Sequence, residues 1–265
     1  MVYPTPLRIA QLTDLHLFAD PSQKMMGLAT ARSFQAVVTH LQQLEHQPDM
    51  LLLTGDLSQD ESPESYQYLV QVLRPLGIPT YWLPGNHDNL SLMKGILSQP
   101  PIYLNKSVQL GNWHFILLSS KVADRTDGQI SPTSLKWLEK QLKLAGDRHV
   151  LIAIHHPPFA IGSAWMDRIR LKNTEPLFEI CDRHPQIRLV LCGHVHQSCE
   201  HKRENVRYFT APSTCVQFQP GSVEFAVDEE EFPGYRLLNV YPDGGWETKV
   251  ERVAFAYPPH LGKGK

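Results

Sequence analysis

For most of its length the chain alternates short apolar runs with longer stretches in which apolar residues recur every three or four positions. The runs LRIAQLTD, DMLLLTGD, PTYWLPG, HVLIAIHHPP and IRLVLCGHVH read as strands, short and closed by Gly, Pro or polar residues. Between them, TARSFQAVVTHLQQLE predicts a helix with Phe34, Val37, Val38 and Leu41 on one face. SPESYQYLVQVLRPL predicts a second, with Ser62 as N-cap, Pro63 at the first helical position, and Tyr66, Leu69, Val70 and Leu73 turned inward. SPTSLKWLEKQLKLA repeats that start and buries Leu135, Leu138 and Leu142, and TEPLFEICDRH predicts a further helix. VQLGNWHFILLSS reads as a hairpin turning at Gly111-Asn112.

After about residue 200 the texture changes. NVRYFTAPS, SVEFAVD, YRLLNVYP and WETKVERV are short, rich in Val, Tyr and Phe, and separated by Pro and Gly, which predicts consecutive strands with tight turns. The terminal YPPHLGKGK is expected to be a frayed tail. Alternating β and α units followed by a run of strands predict an α/β fold in which two sheets pack together with helices outside. With no repeat, low-complexity tract or linker, residues 1–265 are expected to form one domain, a β/α part over about 7–199 and a strand-rich part over about 205–253.

Composition changes this picture little. A hydrophobic share of 42% and a charged share of 20% are those of an ordinary soluble globular protein. The net charge of -2 leaves no electrostatic footprint for nucleic acid or anionic membrane, so neither is an expected partner. MVYPTPLRIAQLTD, with Pro4, Pro6 and Arg8 as its only basic residue, lacks the layout of a signal peptide. No apolar run approaches the roughly 20 residues that span a bilayer, and the expected location is cytoplasmic. Four cysteines without C-x-x-C spacing predict reduced thiols rather than disulfides or a zinc site. The 13 histidines are the anomaly, and their placement matters more than their number.

Five polar clusters each lie just beyond the C-terminal end of an apolar strand: Asp14 and His16; Gly55 and Asp56; Asn86, His87 and Asp88; His155 and His156; His194 and His196. In α/β sheets ligands bind outside the carboxyl ends of the strands, so five separate clusters can meet at one place. Singly, Asp14-Leu15-His16 reads as a solvated loop and Gly55-Asp56 as a turn. G-N-H-D and G-H-V-H are far less common, and the five in order point to a site. Imidazole nitrogen with carboxylate or amide oxygen, and no thiolate, suits Mn, Fe or Zn in a hydrolytic centre. An Asp can bridge two cations, and Asp56 has room to do so beside Gly55. Two metals about 3.5–4 Å apart activate water and clamp the attacking and leaving oxygens of a phosphoryl transfer.

The blocks D-x-H, G-D, G-N-H-D, H and G-H-x-H, in order from Asp14 to His196, resemble those of the calcineurin-like metallophosphoesterases. The resemblance implies a double β-sandwich flanked by helices, a four-layer α-β-β-α arrangement. It also implies two divalent transition metal ions, Fe²⁺ or Mn²⁺ foremost and Zn²⁺ admissible. One would take Asp14, His16 and His196, the other Asn86, His155 and His194, with Asp56 bridging. His87 would donate protons, and His87, Asn86, His16 and His196 would face the substrate. LTDLHLFAD, TGDLSQDES, WLPGNHD, LLCGHVHQ and PSTCVQFQP further resemble bacterial class III cyclic nucleotide phosphodiesterases, implying hydrolysis of 3',5'-cyclic AMP to 5'-AMP by a metal-bridging hydroxide. Of His155 and His156, His155 is taken as the ligand, as the first residue beyond its strand and the usual ligand position of the resembled family, and His156 either supports a ligand or faces the substrate. The alternatives are a broader metallophosphoesterase acting on other diesters, phosphomonoesters or pyrophosphates, and a catalytically silent scaffold. A phosphomonoester usually needs an Arg clamp; no arginine lies in the blocks, though Arg168 or Arg170 can arrive from WMDRIRLKN.

Some residues carry two readings. Asp88 either orients His87 or supports the turn. Asp60 is as readily a helix cap as an orienting group. Trp165 and Phe218 either stack on a purine or fill core and rim, the second being the commoner use of large aromatics.

Overall fold

The computed structural model describes residues 5–255, so the YPPHLGKGK segment and its expected fraying lie outside the described residues. In chain order come β1 (Leu7–Leu12), a small hairpin of β2 (Lys24–Met25) and β3 (Leu28–Ala29), α1 (Thr30–Gln42), β4 (Met50–Leu53) and α2 (Pro63–Leu73). Then follow β5 (Thr80–Trp82), α3 (Leu90–Ile96), β6 (Ile102–Tyr103), β7 (Ser107–Leu110), β8 (Trp113–Leu117), α4 (Pro132–Ala145) and β9 (His149–Ile154). The chain continues through α5 (Ala164–Asp167), α6 (Thr174–Arg183), β10 (Ile187–Cys192), β11 (Glu200–Arg203) and β12 (Val206–Thr210). It closes with β13 (Gln217–Phe218), β14 (Val227–Asp228), β15 (Gly234–Val240) and β16 (Trp246–Arg252).

Two sheets of 6 strands result, in the orders β16-β15-β1-β4-β5-β6 and β11-β12-β10-β9-β8-β7. In each, four neighbouring strands run parallel, β1-β4-β5-β6 and β8-β9-β10-β12. Such strands are buried on both faces, and successive side chains go to opposite sides. Ile9, Met50 and Leu52 of the first sheet meet Phe115, Leu151, Leu189 and Leu191 of the second in a shared central core. The alternate residues Ala10, Leu12, Leu51 and Leu53 face outward against α1 and α2, while Val150, Ile152, Val190 and Cys192 face α4 and α6. The layers are therefore α-β-β-α, as expected. Ser62 and Ser131 cap α2 and α4 by accepting from the backbone N–H of Ser65 and Ser134; Val70 and Leu135 are only half-buried.

The C-terminal strands differ from the expectation. They do not form one consecutive unit: β12 extends the second sheet beside β10, whereas the β15–β16 hairpin pairs antiparallel with β1 in the first. SVEFAVD yields only Val227–Asp228 as strand, because Val223 and Phe225 sit in the loop that returns to β13.

Candidate metal centre

Each cluster begins one to four residues past a parallel strand, so both sheets deliver their loops to one end of the sandwich. Backbone bonds tie these loops together. The Asp14 N–H donates to the Gly55 carbonyl (2.9 Å), the His16 N–H to that of Asp56 (3.0 Å), and the Gly193 N–H to that of His155 (2.9 Å). Across the sheets, the His194 N–H donates to Asp14 Oδ2 at 2.9 Å. Asp14, His16, Asp56, His194 and His196 have φ of 54°, 48°, 52°, 72° and 49°, a left-handed region that non-glycine residues rarely occupy. Such backbone persists only where its surroundings over-determine it, and it gathers at functional sites.

Glycines let the blocks interlock. A Cβ at Gly85 would collide with the carboxylate and backbone N of Asp56, and one at Gly193 with the Thr13 hydroxyl. A Cβ at Gly55 would stand 2.5 Å from His155 Nδ1 and 2.6 Å from the Gly85 N. The glycine of each block is needed because a neighbouring block occupies its side-chain space.

The imidazoles are oriented from behind. A carbonyl oxygen can only accept, so His155 Nδ1, 2.7 Å from the Thr54 carbonyl, carries a proton. The same holds for His196 Nδ1, 2.8 Å from the Val216 carbonyl, and for His16 Nδ1, 2.6 Å from Gln59 Oε1. In their neutral forms all three rings then turn an Nε2 lone pair inward. His16 Nε2 and His196 Nε2 are 3.1 Å apart. His196 Nε2 is 3.5 Å from Asp14 Oδ1, and His155 Nε2 is 3.3 Å from both Asp56 Oδ2 and Asn86 Oδ1. His194 Nε2 is buried with no hydrogen-bond partner among the described residues. Lone pairs facing lone pairs and carboxylates in a buried pocket form an arrangement that cations would satisfy. Ligand atoms of Asp14, His16 and His196 all lie within 4.8 Å of one another, as do those of Asp14, Asp56 and His155.

His156 is different. Its Nε2 is 3.1 Å from the Thr126 carbonyl and its Nδ1 2.8 Å from Ser120 Oγ, so both nitrogens have partners, although one of them also lies within 4.8 Å of ligand atoms of His155 and His194.

The electrostatics follow the burial. Desolvation pushes His16 down to about 4 and His194 well below the usual histidine range. Burial also opposes charge on Asp56 and His155, but each outweighs that for the other. Asp56 is held well below the carboxylate range, and His155 is raised to about 9.

Asn86 and His87 are half-buried and line a cavity of about 420 Å³ together with Gln59, Lys121, Arg125 and Thr126. The His87 N–H donates to Asp56 Oδ1 (2.8 Å), and its ring stands edge-on to that of His16 with centroids 5.1 Å apart. A larger cavity of about 500 Å³, lined by Arg8, His46, Leu237 and Lys249, contains none of the donors.

Asp88 supports the turn. Its carboxylate accepts from the N–H groups of Leu57 (3.0 Å), Ser58 (3.1 Å) and Gly85 (2.9 Å) and from the Tyr66 hydroxyl (3.1 Å), clamping the Asp56 loop to the Asn86 loop. Asp60 is not the helix cap, which is Ser62; its carboxylate accepts from the Ser62 N–H and hydroxyl and from the Ala19 N–H of the loop that follows His16. Phe218 is buried and lies flat on the His196 ring, with Trp165 against its edge. Arg170 Nη1 donates to the Pro158 carbonyl and does not line the cavity. Two residues that are not among the candidate ligands also reach the site: Gln59, behind His16, and Lys121, whose ammonium donates to the Asn86 carbonyl at 2.7 Å. Neither has a spacing that marks it, since each reaches the site through the fold.

Comparison with known proteins identifies the family. The family model described as calcineurin-like phosphoesterase matches residues 7–198, and the chain belongs to that family. A 3',5'-cyclic-nucleotide phosphodiesterase of Nostoc sp. is 50% identical over 253 residues, covering 96% of this chain and 95% of that relative. The 3',5'-cyclic adenosine monophosphate phosphodiesterase CpdA of Escherichia coli is 37% identical over 249 residues, covering 94% and 90%. Among solved structures, a dimetal phosphatase from Danio rerio superposes with a TM-score of 0.63 at 15% identity, over 94% of this chain and 100% of the other, and shares the fold.

Proposed function

We propose that the chain is a dinuclear-metal phosphodiesterase that hydrolyses 3',5'-cyclic AMP to 5'-AMP. The observation that carries the metal part is the inward-facing set of His16, His196, His155 and His194 nitrogens around two buried carboxylates. The substrate rests on the relatives, which are named for cyclic nucleotides and align with nearly the whole chain. On this reading Asp14, His16 and His196 hold one cation and Asn86, His155 and His194 the other, with Asp56 shared between them. His155 is preferred to His156 as the ligand because both nitrogens of His156 already have hydrogen-bond partners in Thr126 and Ser120. The thiolate-free donor set favours Fe²⁺ or Mn²⁺ and accommodates Zn²⁺. Two such ions supply an activated water and a clamp on the phosphoryl oxygens.

The chain's own residues do the rest. Val216, Gln59 and Thr54 keep the ligand imidazoles in one tautomer. Asp88 and Lys121 fix the loop that carries Asn86 and His87. As the new P–O bond forms from water, which gives up one proton, and the P–O3' bond breaks, His87 supplies the proton taken by the 3'-oxygen and is reprotonated from solvent. Arg125 lines the cavity, but Asp127 holds its guanidinium at 2.7 and 2.9 Å, which argues against a free clamp for a phosphomonoester dianion. None of the seven donors is missing, which argues against a silent scaffold. The convergence of loops from both sheets supports a single domain, and four free thiols support the cytoplasm. The test is a panel on metal-reconstituted protein: cyclic AMP, cyclic GMP, 2',3'-cyclic AMP, a phosphomonoester and a pyrophosphate. Preference for a phosphomonoester or pyrophosphate would overturn the reading.

A further inference from the structure

Beside the donor cluster the β13–β14 hairpin carries an aromatic set that is rooted in a small core with Met166, Val195 and Val216 and exposed at its tip. Its first strand carries Phe218, which is 7% exposed and stacks on the His196 ring with centroids 4.0 Å and planes 11° apart. The Gln219 N–H donates to the Ala226 carbonyl (2.9 Å) and closes the loop. In that loop Phe225 is 48% exposed, and its ring meets Phe218 edge-to-face at 5.5 Å and Trp165 at 5.1 Å. Trp165 in turn meets Phe218 at 5.1 Å. The set is held in place, because Trp165 Nε1–H donates to Ser222 Oγ (3.0 Å), which itself donates to the Gln219 carbonyl (2.8 Å). Three interlocked rings thus begin on a proposed metal ligand and end in solvent.

We propose that Phe225 and Trp165 form the nucleobase subsite, and the proposal rests on the cyclic-nucleotide reading above. A 3',5'-cyclic nucleotide has a fused, rigid sugar–phosphate, so holding the phosphate at the donor cluster leaves the base one furanose away. The aromatic set starts one ring stack from His196 and runs outward to the half-exposed Phe225, on a different side of the site from the cavity that His87 lines and within about one furanose of the donor cluster. Preorganised rings suit this task because stacking then costs little ordering entropy. Aromatic faces bind the π-surface of any base, so the subsite separates a base-bearing substrate from an abasic one more strongly than adenine from guanine.

The test compares cyclic AMP with the abasic methyl riboside 3',5'-cyclic phosphate, which has the same leaving group and no base. Because Phe225 is nearly half exposed, Phe225→Ala should fold, which metal content and melting temperature check. A base–aromatic stack removed by alanine loses about 5- to 150-fold in affinity, and a partly exposed ring belongs at the low end. The expected result is a fall of about 5- to 20-fold in the ratio of kcat/KM for cyclic AMP to that for the abasic diester, carried by KM and restored in Phe225→Trp. An unchanged ratio in protein that turns over cyclic AMP normally would overturn the subsite alone. Failure of the wild type to hydrolyse cyclic AMP would overturn both it and the reading on which it rests.

Discussion

His16 and His196, one from each sheet, aim their Nε2 atoms at each other across 3.1 Å, and each has its Nδ1–H committed to an oxygen behind it. Two imidazole lone pairs so placed repel unless a cation lies between or beside them. Metal removal should therefore cost stability as well as turnover. A ligand that binds only the folded state stabilises it by about 2.7 kcal/mol at a hundredfold excess over Kd. Mn²⁺-loaded protein is expected to melt roughly 5–10 °C above the chelated form. Activity should vanish on chelation and return with Mn²⁺ or Fe²⁺. Matching melting curves, or full turnover by the apo protein, would refute the metal centre.

Asp56 is proposed to serve both ions, so Asp56→Ala should be the most damaging single ligand change. Metal analysis should find both ions depleted, whereas His16→Ala should chiefly deplete one. An Asp56→Ala protein that retains two equivalents of metal would count against the bridge.

Asp88 receives three backbone N–H groups and the Tyr66 hydroxyl without touching a proposed ligand side chain. Asparagine keeps one acceptor oxygen and turns an NH₂ group toward donors that must then go unpaired. Asp88→Asn should destabilise by about 2–4 kcal/mol, the cost of breaking a buried polar network. It should also loosen metal binding through Asn86. Urea unfolding and metal titration of one preparation test both, and wild-type values in both would remove Asp88 from its clamping role.

Asp88 also shows where the sequence stops speaking. That it follows His87 is plain from the chain; whether its carboxylate faces His87 or the neighbouring loop depends on a fold that brings Leu57 within 3.0 Å. The five clusters were legible because strand ends in parallel sheets converge, so residue type and chain position sufficed. The left-handed backbone at Asp14, His16, Asp56, His194 and His196 was not, since no local propensity favours it and only packed neighbours impose it. The partition of the C-terminal strands was equally hidden. β12 and β15 have similar β-rich composition, yet they join different sheets according to which edge each meets. Lys121 sits in an undistinguished loop and reaches Asn86 only in three dimensions.

A pH effect is expected at Lys106, outside the donor set. Burial pushes the Lys106 ammonium down to about 7, with Lys94 adding repulsion, although it lies 3.1 Å over the Trp82 ring and donates to the Trp82 carbonyl. An unfolded lysine titrates near about 10.4. Between those values the unfolded chain binds more protons than the folded one, so this site's contribution to stability rises with pH across that window. Below about 7 the cost of the buried charge is constant. The wild type should therefore gain in urea midpoint relative to Lys106→Met between about pH 7 and about pH 9. A difference that stays flat, or moves the other way, would show the cation–π contact holding the charge after all.

His87 stands edge-on to His16 and lines the cavity, free to meet the oxygen that leaves. A ribose 3'-alkoxide is a poor leaving group and gains from protonation as its bond breaks. General acid catalysis contributes about 10²–10⁴-fold in such cases. A p-nitrophenolate departs without that help. His87→Ala should therefore cut turnover of cyclic AMP far more than that of bis(p-nitrophenyl) phosphate, while metal content stays near wild type. The competing role is structural, because the His87 N–H also donates to Asp56 Oδ1 at 2.8 Å. That bond belongs to the backbone and survives in alanine, so it cannot itself account for a loss in the variant; a side chain that only packs to support the turn predicts equal losses on both substrates, with metal lost alongside. Both rates and the bound metal, measured on one mutant preparation, separate these outcomes. Equal losses with the metal intact would place His87 on phosphoryl charge common to both substrates and end its assignment as the acid.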